Sequence, residues 1–336
     1  MRRTASVLAA LVVWCSVASA FAFGPEGHQA VGAIADQLLA PRAAEEVKTR
    51  LGMPLRVAAT WADCAKDVRR QPNGSFKYLP NPAFHDACKE FETMAGRARM
   101  EDYVKRNFRQ CPQGTDSEPC HKIYHFAEIA IQNDRYDRSL AGTSNVDIVS
   151  AIDAAVAFLQ KKPVIGPVRI KDDAEAILML AHLVGDLHQP LHVGAVYLDG
   201  QDHEINPGKK ADPRTETRGG NLVQDGSTNL HADWDEIPRT IDPAKISEDM
   251  MKSARTFVEK VDSPPGRAEA WANDTLLAAK AAFKGVSFTH ADAAKGHWKA
   301  HFDDRHAYFT AKDDLQRKQL AKAGARLASL LNAIWP

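Results

Sequence analysis

The chain has 336 residues, 44% of them hydrophobic, which allows one large domain or two small ones. Its 43 Lys and Arg balance 43 Asp and Glu. No global positive field is available to hold a long duplex through its phosphates, although a small, metal-assisted contact with nucleic acid stays open.

The first predicted element is an export signal. Arg2 and Arg3 precede an apolar run over 5–18, and the small-residue patterns ASA and AFA follow. This arrangement predicts a secretory signal peptide over 1–22, too short and wrongly flanked to span a bilayer. Processing is expected after Ala20 or Ala22. The remainder, 23–336, reads as one domain, periplasmic or secreted, monomeric and without stable membrane association.

Apolar residues recur at helical spacing over 27–39 (GHQAVGAIADQLL), 147–160, 173–189, 268–284 and 313–334. Strand-like alternation is scarce. Two stretches, 69–121 and 194–230, are rich in Gly, Pro and polar residues and read as long loops. The expected fold class is therefore all-α: a single, mainly helical domain with long functional loops. In HWKAHFDDRHAYF, His297 and His301 are four apart with Asp304 beyond, but the glutamate of a metalloprotease helix is missing. A solvated amphipathic helix is the reading for that segment.

Cys64, Cys88, Cys111 and Cys120 remain after signal removal. An even number in an exported chain points to two disulfides, with three pairings possible. Metal ligation is the competing reading, but the spacing lacks paired CxxC knuckles.

The chemistry concentrates in HLVGDLHQPLH, residues 182–192. His182 and Asp186 are four apart and share one helical face, in a run where Ile177, Leu178, Leu180, Leu183, Val184 and Leu187 leave no obvious solvent side. His188 points away from that face. Pro190 breaks the helix, and His192 follows the break. Polar groups in such a setting are either hydrogen-bonded to one another or held by a cation. LHADWD repeats the spacing with His231 and Asp235, while Asp63 in WAD, His125 in YHF and His28 in GPEGH lie among apolar neighbours. Each is weak alone. Together, several imidazoles and carboxylates without thiolates favour catalytic zinc over a closed structural site.

The ordered set GPEGH, WAD, YHF, AHLVGDLHQPLH, RGGN and LHADWD, spread over 23–271, resembles the zinc-dependent single-strand nucleases of the S-one/P-one type. Bacterial phospholipase C is a more distant relative of that family. The resemblance implies a mainly helical fold around a cleft that binds three Zn2+ ions. It assigns one zinc to Asp63, His125, His182 and Asp186, and a second to His192, His231 and Asp235. The third falls to His28, Asp186 and the mature N-terminal residue, Phe23, through its amine and carbonyl.

The activity implied is zinc-dependent hydrolysis of phosphoester bonds in single-stranded DNA, RNA and 3′-mononucleotides, giving 5′-phosphorylated products. The resemblance makes Asp186 the catalytic bridge between two ions, and Lys66 matches a phosphate-binding cation. Phe126 and Glu128 match base-binding positions. For Lys66 the plain alternative is a solvated lysine, and for Phe126 it is core packing. A zinc phospholipase C is the alternative activity, and a non-catalytic zinc carrier a third. Two departures stand out: Phe23 replaces the family's tryptophan, and the segment between Asp63 and His125 is long.

Overall fold

Proline at the first helical position opens both α1 (Pro25–Leu38) and α2 (Pro41–Leu51), where its missing N–H is no loss and its fixed φ suits the helix. The computed structural model describes residues 23–113, 116–262, 264, 266–292 and 297–336. The signal peptide expected over 1–22 lies outside these residues. The other helices of eight residues or more are α3 (Met94–Arg106), α4 (Ile148–Leu159), α5 (Asp173–Asp186), α6 (Glu248–Arg255), α7 (Arg267–Ala282) and α8 (Arg305–Ile334). Thr93, Asp147, Asp172, Ser247 and Asp304 cap α3, α4, α5, α6 and α8, each side chain accepting a hydrogen bond from a first-turn N–H.

α5 is the axis of the main core. Every residue from 175 to 186 is buried, because α1, α2, α4, α8 and the short helical turns Leu55–Ala58 and Trp61–Ala65 all pack against it. A helix so enclosed has no polar face, so its polar side chains must be satisfied by other protein groups or by a ligand. A smaller apolar cluster, with Trp234 and Trp298 at its centre, joins α7 and α8 to a four-stranded sheet. Its strands are β1 (Val223–Asp225), β2 (Thr228–Asn229), β3 (Val286–Asp292) and β4 (His297–Phe302), in the order β2-β1-β4-β3. Among the described residues no helix is long and apolar enough to cross a membrane.

The mainly helical expectation holds, and the five predicted helices are present with shifted ends. α5 stops at Asp186, ahead of the Pro190 break, and α8 begins at Arg305 rather than 313. The HWKAHF segment is corrected: it is strand β4, not a solvated helix. Trp298 is buried and Lys299 exposed, a period of two, and β4 pairs with both β3 and β1. The stretch 69–121 is likewise not all loop, since it contains α3 and two β-hairpins. α2 and α6 are absent from the helices expected from sequence; each is short and amphipathic, with two and three buried residues, so few apolar positions mark it. The cysteines pair as Cys64–Cys88 and Cys111–Cys120, which removes thiolate metal ligation.

Candidate metal centre

The end of α5 places His182 and Asp186 on one face, as their spacing requires, with His182 Nε2 3.1 Å from Asp186 Oδ2. The turn Trp61–Ala65 brings Asp63 alongside, its Oδ1 3.5 Å from His182 Nε2. His125 meets the His182 ring edge-on, with Nδ1 2.8 Å from Asp186 Oδ2 and 3.0 Å from His182 Nε2. His28, in the first turn of α1, stacks on the His182 ring at a centroid distance of 3.8 Å. Its Nε2 is 3.2 Å from Asp186 Oδ1 and 3.9 Å from Asp63 Oδ2. Gly185 permits this stacking: a Cβ there would lie 3.0 Å from His28 Nδ1.

A second group forms where the chain leaves α5. The 3-10 turn Pro190–His192 and the helical turn Leu230–Asp235 bring His192 Nε2 to 3.1 Å from His231 Nε2, with Asp235 Oδ2 3.7 Å from the latter. Among the described residues, three donor groups could bind a metal: His28–Asp63–His182 and His125–His182–Asp186, which share His182, and the separate His192–His231–Asp235. Phe23 is buried at the head of α1, and the following N–H, of Gly24, donates to the Asp235 carbonyl at 2.8 Å. The segment just ahead of α1 is thereby tied to the second group.

The donor atoms suit a cation. Carbonyls of Ala59, His125 and Gly219 accept from Nδ1 of His182, His192 and His231 at 2.6, 2.7 and 2.7 Å. A carbonyl can only accept, so each ring carries a proton on Nδ1 and turns its Nε2 into the cleft. Burial lowers His192 to about 3 and His231 to about 4, and burial with Lys66 lowers His125 to about 4. These rings are neutral, as ligands must be. Burial alone would raise Asp186, yet His182, His125 and His28 outweigh it and hold its carboxyl well below the usual range. Burial raises Asp235 well above its ordinary value, with Asp63 and Asp186 adding to the effect. Both His28 ring nitrogens and Asp186 Oδ1 are buried without a hydrogen-bond partner. Orphaned atoms of this kind are costly unless something else satisfies them. Imidazole nitrogens and carboxylates around such orphans fit zinc.

Of the remaining candidates, Lys66 alone forms an ion pair with a proposed ligand among the described residues. Lys66 ends the Asp63 turn, with Nζ 2.7 Å from Asp63 Oδ1. Phe126 is half-buried against the main core. Glu128 is buried, and burial followed by Glu216 pushes its carboxyl up to about 8. His188 faces away, as its position implies: Nδ1 donates to the Val184 carbonyl at 2.7 Å, and Nε2 accepts from Arg326 of α8 at 3.0 Å.

Two supporting residues are not evident from sequence. Gln189 is fully buried and donates from Nε2 to Asp235 Oδ1 at 2.9 Å. Gly219, inside the RGGN motif, presents the carbonyl that orients His231. The signal for Gln189 is its position between the two donor groups, in HQPLH. For Gly219 it is the glycine pair itself, which marks backbone that few other residues adopt.

A buried array of imidazoles and carboxylates on a helical scaffold is a set of oxygen and nitrogen donors that could hold metal ions. The S1/P1 Nuclease family model matches residues 23–336, and the chain belongs to that family. Among curated proteins it is 28% identical over 184 residues to Nuclease P1 of Penicillium citrinum, covering 49% of this chain and 59% of the relative. It is 27% identical over 176 residues to Endonuclease 4 of Arabidopsis thaliana, covering 48% and 50%. The matched segment therefore spans only half to three-fifths of each relative.

Proposed function

We propose that this chain is an exported zinc-dependent endonuclease and 3′-nucleotidase that hydrolyses single-stranded DNA and RNA to 5′-phosphorylated products. The observation that carries the reading is Asp186, whose two oxygens meet different histidines: Oδ1 lies near His28, and Oδ2 near both His125 and His182. A carboxylate so placed suits a bridge between two cations.

Asp63, His125, His182 and Asp186 are assigned to one ion, and His192, His231 and Asp235 to a second. His28, Asp186 and the backbone of Phe23 are assigned to the third, with processing after Ala22 freeing the Phe23 amine. Zinc bound in these groups would supply Lewis-acid polarisation of a phosphoryl oxygen and acidified water near neutral pH. The Lys66 ammonium, next to Asp63, adds positive charge where phosphoryl oxygens become more negative in the transition state. Phe126 offers one ring face to an unpaired base, which favours single strands. Glu128 stays protonated at neutral pH through its burial and serves as a hydrogen-bond donor to a base edge.

The test is incubation of purified protein with single-stranded DNA, RNA, a 3′-mononucleotide and phosphatidylcholine, before and after chelation and zinc addition. Loss of nucleic-acid and mononucleotide hydrolysis on chelation, with recovery on zinc addition, is the expected result. Hydrolysis of phosphatidylcholine alone would transfer the site to lipid chemistry. Full activity after metal removal would sink the reading.

A further inference from the structure

The chain leaves the metal floor at Lys66 and immediately forms a hairpin. Val68–Arg70 pairs antiparallel with Phe76–Tyr78, in the register Val68↔Tyr78, Arg69↔Lys77 and Arg70↔Phe76. Val68 and Tyr78 are buried and root the hairpin in the core. Arg69 and Lys77 are exposed directly opposite each other, and Arg70 is exposed beside them. Like charges at paired positions repel, so the hairpin carries a local cost. It is only partly relieved, by Asp67 Oδ1 at 3.4 Å from Arg69.

Between 68 and 78 there is no carboxylate. Among the described residues, no ion pair is formed by Arg70, Lys77 or the exposed Arg109. The Arg70 guanidinium lies 5.8 Å from the centre of the Phe108 ring, and Phe108 meets Phe76 edge-on at 4.8 Å. Both rings are half-buried. The strip therefore alternates cations with aromatic edges, and it is joined to the metal centre through the chain itself, which runs from Asp63 and Lys66 into the hairpin, with Arg69 donating to the Lys66 carbonyl. In a chain of zero formal net charge, this is a local concentration of positive charge and not a generally basic surface. Cations interleaved with rings are what a flexible polyanion with bases requires.

We infer that this hairpin, with Phe108 and Arg109, is a strand-binding track. It holds the phosphates of a single-stranded nucleic acid beyond the scissile bond and feeds that strand to the metal centre past Lys66. The inference rests on the phosphoester reading of the site and adds a preference for polymer over mononucleotide.

The test compares wild type with the double variant Arg70→Gln, Lys77→Gln, which removes two charges but keeps polar side chains of similar reach. Expected is at least a tenfold fall in kcat/KM on a long single strand, entering through KM, with 3′-mononucleotide hydrolysis unchanged. Salt dependence of strand binding is read by fluorescence anisotropy on a hydrolysis-resistant phosphorothioate strand. Its log–log slope should become shallower by about 1.4, since each phosphate that is no longer neutralised accounts for about 0.7. Unchanged strand affinity, or equal losses on strand and mononucleotide, would overturn the track. Binding of wild type to anionic phosphatidylglycerol vesicles but not to the strand would overturn it too, by giving the surface to membranes. Because anisotropy needs no turnover, a protein that binds the strand charge-dependently but hydrolyses nothing would keep the track while removing the nuclease reading.

Discussion

The Gly219 carbonyl accepts the Nδ1–H of His231 at 2.7 Å, and Gly219 does this from a left-handed backbone, φ +56°, with the Leu191 carbonyl where a Cβ would be. That Cβ would lie 2.4 Å from the Leu191 oxygen. Gly219→Ala should therefore displace either its own carbonyl or the Pro190–His192 turn, at a cost of about 1–3 kcal/mol for the backbone alone. The expected outcome is zinc loss from the His192–His231–Asp235 group, counted by elemental analysis, together with a lower Tm. A variant with wild-type zinc content would show that His231 needs no such orientation.

Asp186→Asn keeps the size of the side chain and removes its charge. Three histidines approach its two oxygens within 3.2 Å, so under the proposed assignment one substitution weakens two ion sites at once. Activity should fall by orders of magnitude, and bound zinc should fall by more than one ion per chain. If only one ion is lost, Asp186 is a terminal ligand and not a bridge.

Gln189→Ala leaves every proposed ligand in place and removes the donor to Asp235 Oδ1. Loss of such a supporting hydrogen bond costs roughly 10–100-fold in metal affinity. Titration with a competing chelator measures this directly. Release of the His192–His231–Asp235 ion at wild-type chelator concentration would assign Gln189 to packing alone.

These supports mark the limit of what a sequence can tell. His182 with Asp186, and His231 with Asp235, are legible because a spacing of four fixes a shared face before any tertiary contact is known. The long helices are legible for the same periodic reason. The distances among His28, Asp63 and His125 depend on how α1, the Trp61–Ala65 turn and the His125 segment dock on α5, which no local pattern encodes. The HWKAHF strand is misleading because His297 and His301 also fit a helical spacing. What decides it is burial of Trp298 against β1 and β3, a tertiary override of a short ambiguous pattern.

The Cys64–Cys88 bridge ties the residue after Asp63 to the turn following the basic hairpin, across a separation of 24 residues. Loop-closure entropy for a ring of this size gives about 3 kcal/mol of stabilisation. Cys64→Ala with Cys88→Ala should lower Tm and loosen Asp63, whereas removal of the Cys111–Cys120 bridge, with a separation of 9 residues, should leave zinc content unchanged. Calorimetry paired with zinc counting distinguishes the two. Equal zinc content in both variants would show that the first bridge supports the fold without positioning the ligand.

Glu128 gives a pH signature independent of catalysis. Burial, followed by repulsion from Glu216, raises its carboxyl from an ordinary 4.5 to about 8 in the folded chain. Below about 4.5 both folded and unfolded forms are protonated, and the group adds nothing to the pH dependence. Between these two values the unfolded chain releases the proton while the folded chain keeps it, so stability falls as pH rises. Above about 8 both forms are ionised and the full cost of a buried carboxylate is present. Glu128→Gln removes the charge and keeps the shape, so its Tm advantage over wild type should grow steadily from pH 5 to pH 8 and then level off. Parallel Tm curves across that range would mean that Glu128 is solvated enough to ionise normally, and its assigned role as a neutral donor to a base would fall with it.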